Sequence, residues 1–322
     1  MLIKNLVTGV FTGILFMLGA SAWAAESPAA APAYAAKGEL TCMKCHDSAP
    51  VTEILNTPHA VKGDSRTPFS NHGCETCHGA SPEHIKSAKH VTGNEKPVPP
   101  AISFSGPNAA PSKVRAGVCL GCHENTARIN WIGSKHDRND VACNNCHTIH
   151  AKKDPLFVKE AQPEKCFTCH PQQRAESFQY SHHPIREGKV VCSDCHAIHG
   201  SPGPHLVKEF TVNETCYNCH AEKRGPLLWE HQPVRENCDN CHTPHGSPQA
   251  RLLTERLPYL CSGCHSGAAN QSGGFFGGLH SLPGQNLNNA ALLNNELQYR
   301  SCLNCHTQVH GSNSPAGFAF TR

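Results

Sequence analysis

The sequence predicts a chain that is mostly coil, with short helices, almost no sheet and an elongated, quasi-linear build. Three observations predict this. The 322 residues include 24 Pro and 26 Gly, which punctuate the backbone too often for long regular elements. Leu, Ile, Val and Phe together number 60, below the roughly one-fifth expected of a chain with an ordinary aliphatic core. The 20 Cys and 24 His recur in one short unit along the chain. Such repetition marks an array in which each unit meets mainly its neighbours.

The N-terminus reads MLIKNLVTGVFTGILFMLGASAWAAES, with Lys4, an apolar run from about Leu6 to Ala20, and small residues Ala22 and Ala24 around Trp23. Residues 1–24 are therefore expected to be a cleaved Sec-type signal peptide, because the apolar run is short and no charged stop-transfer flank follows it. Residues 25–39 are Ala/Pro-rich and expected to be disordered; residues 40–322 form the body. No other segment approaches the length needed to span a bilayer, so a transmembrane role would require a partner. The formal charge of +3 provides no basic field for nucleic acid.

Within the body every cysteine belongs to a C-x-x-C-H unit. The first five are Cys42-Cys45-His46, Cys74-Cys77-His78, Cys119-Cys122-His123, Cys143-Cys146-His147 and Cys166-Cys169-His170. The second five are Cys192-Cys195-His196, Cys216-Cys219-His220, Cys238-Cys241-His242, Cys261-Cys264-His265 and Cys302-Cys305-His306. Two thiols three positions apart on one turn can add to the two vinyl groups of a haem, and the next residue then offers its imidazole to the iron. Disulfide pairing would explain twenty secreted cysteines but not the histidine after every pair. The expected cofactors are ten haem c.

Each iron needs a second axial ligand, usually Met or His in electron-transfer cytochromes. Beyond the signal segment the only methionine is Met43, trapped inside the first motif. The second ligands are therefore expected to be histidines. After the even-numbered motifs come His84, His150, His199, His245 and His310, the last three followed by Gly. Between each odd motif and the next even one lie His59, His136, His183, His231 and His280. His72, His90, His182 and His205 remain as surplus, with His182 against His183 and His84 against His72 or His90 left open. Spacing does not say which of these serves which iron. Bis-His ligation leaves no vacant position for a substrate and suits electron transfer rather than catalysis at a bound molecule. About twenty haem propionates would turn the near-neutral chain acidic.

In the middle of the chain a two-motif unit recurs, and FVKE (Phe157 to Glu160), LVKE (Leu206 to Glu209) and LLTE (Leu252 to Glu255) precede the following motif at similar distances. Three stretches read as loops or tails: Ala25 to Ala36, the Pro-rich Val91 to Gly117 and the Gly/Asn-rich Ser266 to Asn295.

The ten-motif layout resembles the MtrA family of periplasmic decahaem cytochromes, with its PioA, MtoA and DmsE relatives. The segments CYNCHAEKRGPLLWEH (Cys216 to His231), VACNNCHTIHAKKDP (Val141 to Pro155) and SCLNCHTQVHGSN (Ser301 to Asn313) carry the likeness, which covers about Leu40 to Arg322. It implies a cytochrome of the periplasm held at the outer membrane inside a β-barrel porin. The implied partners are that porin, periplasmic or inner-membrane c-type cytochromes, and an outer-surface multihaem cytochrome or iron or metal oxide. It also implies the ten motifs and ten further histidines above as haem sites. A soluble periplasmic shuttle and a multihaem reductase are the alternatives. Direction of electron flow is not set by the residues.

Overall fold

In a computed structural model, residues 33–265, 301–315, 317 and 320 are described. The expected signal peptide, the Gly/Asn-rich stretch from Ser266 and the candidate ligand His280 lie outside them. The chain divides into Met1–Ala33 and Tyr34–Arg322, and all ten motifs belong to the second unit.

Every motif sits on one helical turn, in two alternating styles. At odd-numbered motifs a helix runs in from the N-terminal side: Glu39–Cys42, Ser112–His123, Gln162–Phe167, Val212–Tyr217 and Tyr259–Ser262. At even-numbered motifs the turn begins at or just after the first cysteine: Glu75–His78, Cys143–Cys146, Cys192–Cys195, Cys238–Asn240 and Cys302–Asn304, the last two being 3₁₀ turns. A backbone bond from the motif histidine N–H to the first cysteine's carbonyl closes the turn, as in His147 to Cys143 at 2.8 Å and His196 to Cys192 at 2.9 Å. That turn puts both sulfurs and the imidazole on one side. The third motif residue often fixes the start: Asn145 Oδ1 accepts from Ala142 N–H at 2.8 Å and Asp194 Oδ2 from Val191 N–H at 2.9 Å.

No β-strand forms among the described residues; four isolated bridges stand in its place. The buried apolar residues, Phe69, Ala116, Trp131, Ala142, Phe167, Val191, Val207 and Val212, are scattered along the chain, while Phe157, Tyr180 and Phe210 stay exposed. Burial of this extent supplies little hydrophobic stabilisation for a chain of this length.

Consecutive two-motif units clasp one another through the histidine–glycine loops. Ser181 and Ser247 exchange backbone bonds of 3.0 and 2.8 Å, and Trp229 and Ser312 exchange two of 2.9 Å. The glycines are sterically required. A Cβ on Gly200 would lie 2.0 Å from the Asn130 carbonyl oxygen, and one on Gly246 would lie 1.9 Å from that of Glu176.

The Pro-rich stretch is only partly the loop that its composition predicts. Ser112 to Gly117 form the start of a twelve-residue helix, since Pro111 precedes it and no proline or strong breaker follows before Gly117.

Candidate metal centres

The histidines form facing pairs. Ring centroids are 6.3 Å apart for His46 and His84, 6.2 Å for His78 and His150, 6.0 Å for His123 and His59, and 6.1 Å for His147 and His199. The series continues with His170 and His136 at 6.3 Å, His196 and His245 at 6.0 Å, and His220 and His183 at 6.4 Å. His242 and His310 stand at 6.2 Å, as do His265 and His231. Rings in direct contact stack closer, as His72 does on Tyr34 at 3.6 Å. A metal–imidazole bond is about 2 Å, and two imidazoles on opposite sides of one ion therefore have centroids roughly 6.3 Å apart. The spacing fits an ion between each pair.

The pairing follows one rule. The histidine after an even motif faces the motif histidine of the preceding even motif, as His150 faces His78. The histidine between odd and even motifs faces that of the next odd motif, as His59 faces His123. Neighbouring units thus exchange a histidine in each direction. His46 is different, because no unit precedes it, and its partner His84 comes from its own unit. The remaining candidate ligand, His280, is outside the described residues.

Many of these rings are oriented by their other nitrogen. His136, His183 and His231 donate from Nδ1 to the carbonyls of Ile198, Pro244 and Val309 at 3.0, 2.6 and 3.0 Å. Each acceptor immediately precedes the crossing histidine of the next unit, so two exchanged rings are fixed by one contact. His78 and His84 donate to Ile102 and Val98 at 3.0 and 2.7 Å, so the Pro-rich stretch orients the first unit's rings. His196 and His242 donate to the carbonyls of His205 and Arg251 at 3.0 and 2.9 Å; His147 donates to Asp154 Oδ2 at 2.6 Å. An engaged Nδ1–H fixes the tautomer and leaves Nε2 free to ligate. Burial pushes the pKa of His78, His150, His199, His231 and His310 down, favouring the neutral ring that a metal requires.

His182 has no such arrangement. Its Nδ1 donates to the Gln179 carbonyl at 2.7 Å and its Nε2 lies 3.4 Å from Glu187 Oε1, while its neighbour His183 faces His220.

The cysteines join the sites in chain order. Within each unit the first cysteines pair: in the thiol form Cys74 holds Cys42 down to about 7, Cys119 holds Cys143 to about 7 and Cys166 holds Cys192 to about 7, each through a side-chain hydrogen bond. Cys216 and Cys238 pair in the same way. Between units the second cysteines approach closely enough for their charges to interact: Cys77 with Cys122, Cys146 with Cys169, Cys195 with Cys219 and Cys241 with Cys264.

These residues fit haem. Two sulfurs and one imidazole face a second imidazole at the spacing of an axial pair, and the sparse aliphatic core leaves apolar faces for a macrocycle to cover. The buried Trp131 indole N–H has no acceptor among the described residues, and its ring is 6.3 Å from that of His199. A haem propionate has the acceptor chemistry that this N–H needs.

The orienting acceptors, Asp154 above all, are absent from the sequence reading. Asp154 follows its histidine by seven residues, whereas the carbonyls that serve His196 and His242 follow by nine, so no common offset announces them.

Comparison with known proteins agrees with this chemistry. Residues 182–225 and 231–270 match the doubled CXXCH motif family, residues 74–162 the NrfB-like c-type cytochrome family, and residues 20–79 the cytochrome c554 and c-prime family. The chain is 42% identical over 287 residues to the multihaem cytochrome MtrA of Shewanella baltica (strain OS185), covering 88% of this chain and 81% of that protein. Covalently bound haem c follows from the motifs and these matches together.

Proposed function

The chain belongs to the MtrA family of multihaem cytochromes, and from that premise we propose that it carries electrons across the outer membrane along ten haems, inside a β-barrel porin. The observation that carries this reading is the succession of histidine pairs in chain order among the described residues, from His46 to His265, with each described junction between units crossed by two exchanged histidines. Bound haem c supplies a one-electron ferric/ferrous couple at each site.

The protein's part is to hold the sites. The C-x-x-C cysteines tether, the motif histidines and His59, His84, His136, His150, His183, His199, His231, His245, His280 and His310 ligate, and the carbonyls at Ile198, Pro244 and Val309 fix ring orientation. With two histidines held for each bound haem iron, no iron position would be left for a substrate, which favours electron transfer over catalysis. Because exchanged ligands fasten each unit to the next, the spacing between sites is built into the backbone.

No helix among the described residues is long and apolar enough to cross a membrane. A lipid crossing by this backbone needs a closed wall around it, which a barrel provides. Residues 1–24 would direct the chain to the periplasm, where c-type cytochromes deliver or collect electrons, and an iron or metal oxide or a surface cytochrome would serve the far side.

The test is a proteoliposome with a redox dye inside and an iron donor or acceptor outside. The dye is expected to respond only when cytochrome and barrel are both present. A dye that stays silent, with no co-assembly, would establish a soluble shuttle instead.

A further inference from the structure

We infer that Asp154 is a potential-tuning residue that makes the site of His147 and His199 more reducing than it would otherwise be. The inference rests on the bis-His haem reading and is independent of the porin.

Three segments of equal length leave the motif histidines His147, His196 and His242 and end in FVKE, LVKE and LLTE. Two of them solve the same problem in the same way. His196 and His242 donate to the carbonyls nine residues on, those of His205 and Arg251. Turning those carbonyls inward places His205 and Leu206 at φ 51° and 58°, and Arg251 and Leu252 at 61° and 59°, in the left-handed region that side chains disfavour. Bridges from His196 to Val207 and from His242 to Leu253 complete the turn.

The segment after His147 departs from this pattern. It has no bridge and no left-handed pair; its 3₁₀ turn Pro155–Phe157 keeps helical dihedrals, whereas the corresponding turns Pro204–Leu206 and Ala250–Leu252 are broken by the left-handed residues. The imidazole's acceptor is the Asp154 carboxylate, seven residues on, where Gly203 and Gln249 stand in the other two segments. One oxygen takes the His147 Nδ1–H at 2.6 Å and the other takes the Leu156 N–H at 3.1 Å, so the carboxylate is locked in place. Its side chain is 11% exposed. The other carboxylates beside candidate ligands, Glu176 at 3.4 Å from His245 and Glu222 at 3.8 Å from His220, are more exposed than Asp154.

A carboxylate draws the Nδ1 proton more strongly than a carbonyl does, giving the ring anionic character and making Nε2 a better donor. A stronger donor stabilises ferric over ferrous iron, as does the adjacent negative charge. The positive Arg128 near His199 acts in the opposite sense but through space, without a bond to either ring. The fourth site is thereby set apart from its counterparts at His196 and His242, and an electron moving along the row meets a step there.

The experiment is a spectroelectrochemical titration of the purified holoprotein and of Asp154→Asn, each checked for ten haems by mass and by pyridine haemochrome. Asn keeps the size and one acceptor oxygen for the His147 Nδ1–H, and removes the charge together with the bond from the Leu156 N–H. Outer-shell changes of this kind alter metal equilibria by roughly tenfold or more, and a tenfold change in the ferric/ferrous equilibrium is about 59 mV for one electron. One site is expected to move upward by that amount while the rest of the curve is unchanged, and Asp154→Glu is expected to restore part of the shift. If Asp154→Asn loads fewer haems, Asp154→Gly, with the residue found at position 203, is titrated in its place with the same expectation. A fully loaded variant whose titration overlays that of the parent overturns the inference. A parent with fewer than ten haems or with high-spin ferric iron would instead fault the haem reading beneath it.

Discussion

The first two-motif unit and those in the middle of the chain hold similar pairs of histidines by different means. In the middle, a site is completed by the next unit: His199 crosses to His147, His245 to His196 and His310 to His242, each beside a carbonyl that also fixes a ring of the neighbouring site. At the first motif, His84 faces His46 from within its own unit, and the 91–111 stretch supplies the Val98 and Ile102 carbonyls that orient His84 and His78. A repeating array has no neighbour at its end, and a private loop there replaces the missing unit. This is the capping requirement of repeat proteins, met with axial ligands rather than with a polar helix face.

Removing a ligand from each kind of site should break the comparison most directly. His183→Ala takes away both the ring facing His220 and the clasp on the Pro244 carbonyl, whereas His84→Ala disturbs only the first unit. In each variant a high-spin ferric signal is expected by electron paramagnetic resonance, about a tenth of the total under the proposed ten-haem reading, because one iron loses its sixth ligand. The two should differ in thermal unfolding, with His183→Ala the less stable because it unfastens two units. His182→Ala, with no facing imidazole, is expected to produce no high-spin signal.

A glycine tests the clasp without touching a ligand. Gly246→Ala drives a Cβ to within 1.9 Å of the Glu176 carbonyl, so the loop carrying His245 must shift. Overpacking of this kind costs about 1–3 kcal/mol, readable in denaturant unfolding of the holoprotein. The corresponding residue of the first junction is already Ala151, after His150, and Ala151→Gly is expected to change stability by no more than a few tenths of a kcal/mol.

These contrasts also mark how far the sequence could be read. The motif turns were legible because their chemistry is local: three-residue spacing places two sulfurs and a ring on one turn wherever it occurs. Most of the facing histidines were legible as candidates because they fall at similar places relative to the motifs, while His84 and His183 stayed open against their neighbours and His280 lies outside the described residues. Their pairing was not, because exchange between units joins His78 to His150 across two intervening motifs, and no local pattern encodes that reach. The choice of His183 over His182 depends on the Ser181–Ser247 bridge, a contact between residues far apart in the chain. The Pro-rich stretch was legible as irregular backbone, but composition does not reveal where a carbonyl points, and Val98 and Ile102 act through their carbonyls alone.

The smallest expected effect concerns the charge that supports the private end. Glu39, buried at the start of the helical turn leading into Cys42, accepts a hydrogen bond from Lys62, and that bond holds its pKa below the ordinary 4.5. A carboxylate depressed in the folded state contributes stability that is present above its unfolded pKa and lost as pH falls through the folded one. The backbone bonds of the middle clasps, Ser181 with Ser247 and Trp229 with Ser312, do not involve Glu39 or Lys62, so this particular support acts on the first unit. Protection against hydrogen exchange across residues 35–46, taken relative to the intrinsic rate at each pH, should therefore fall as pH drops below 4.5 through the folded pKa. Lys62→Met should lower that protection at pH 6 and leave it unaltered once the carboxyl is neutral. Equal acid sensitivity in parent and variant would mean that the first unit is held by its haem ligands and the 91–111 loop alone.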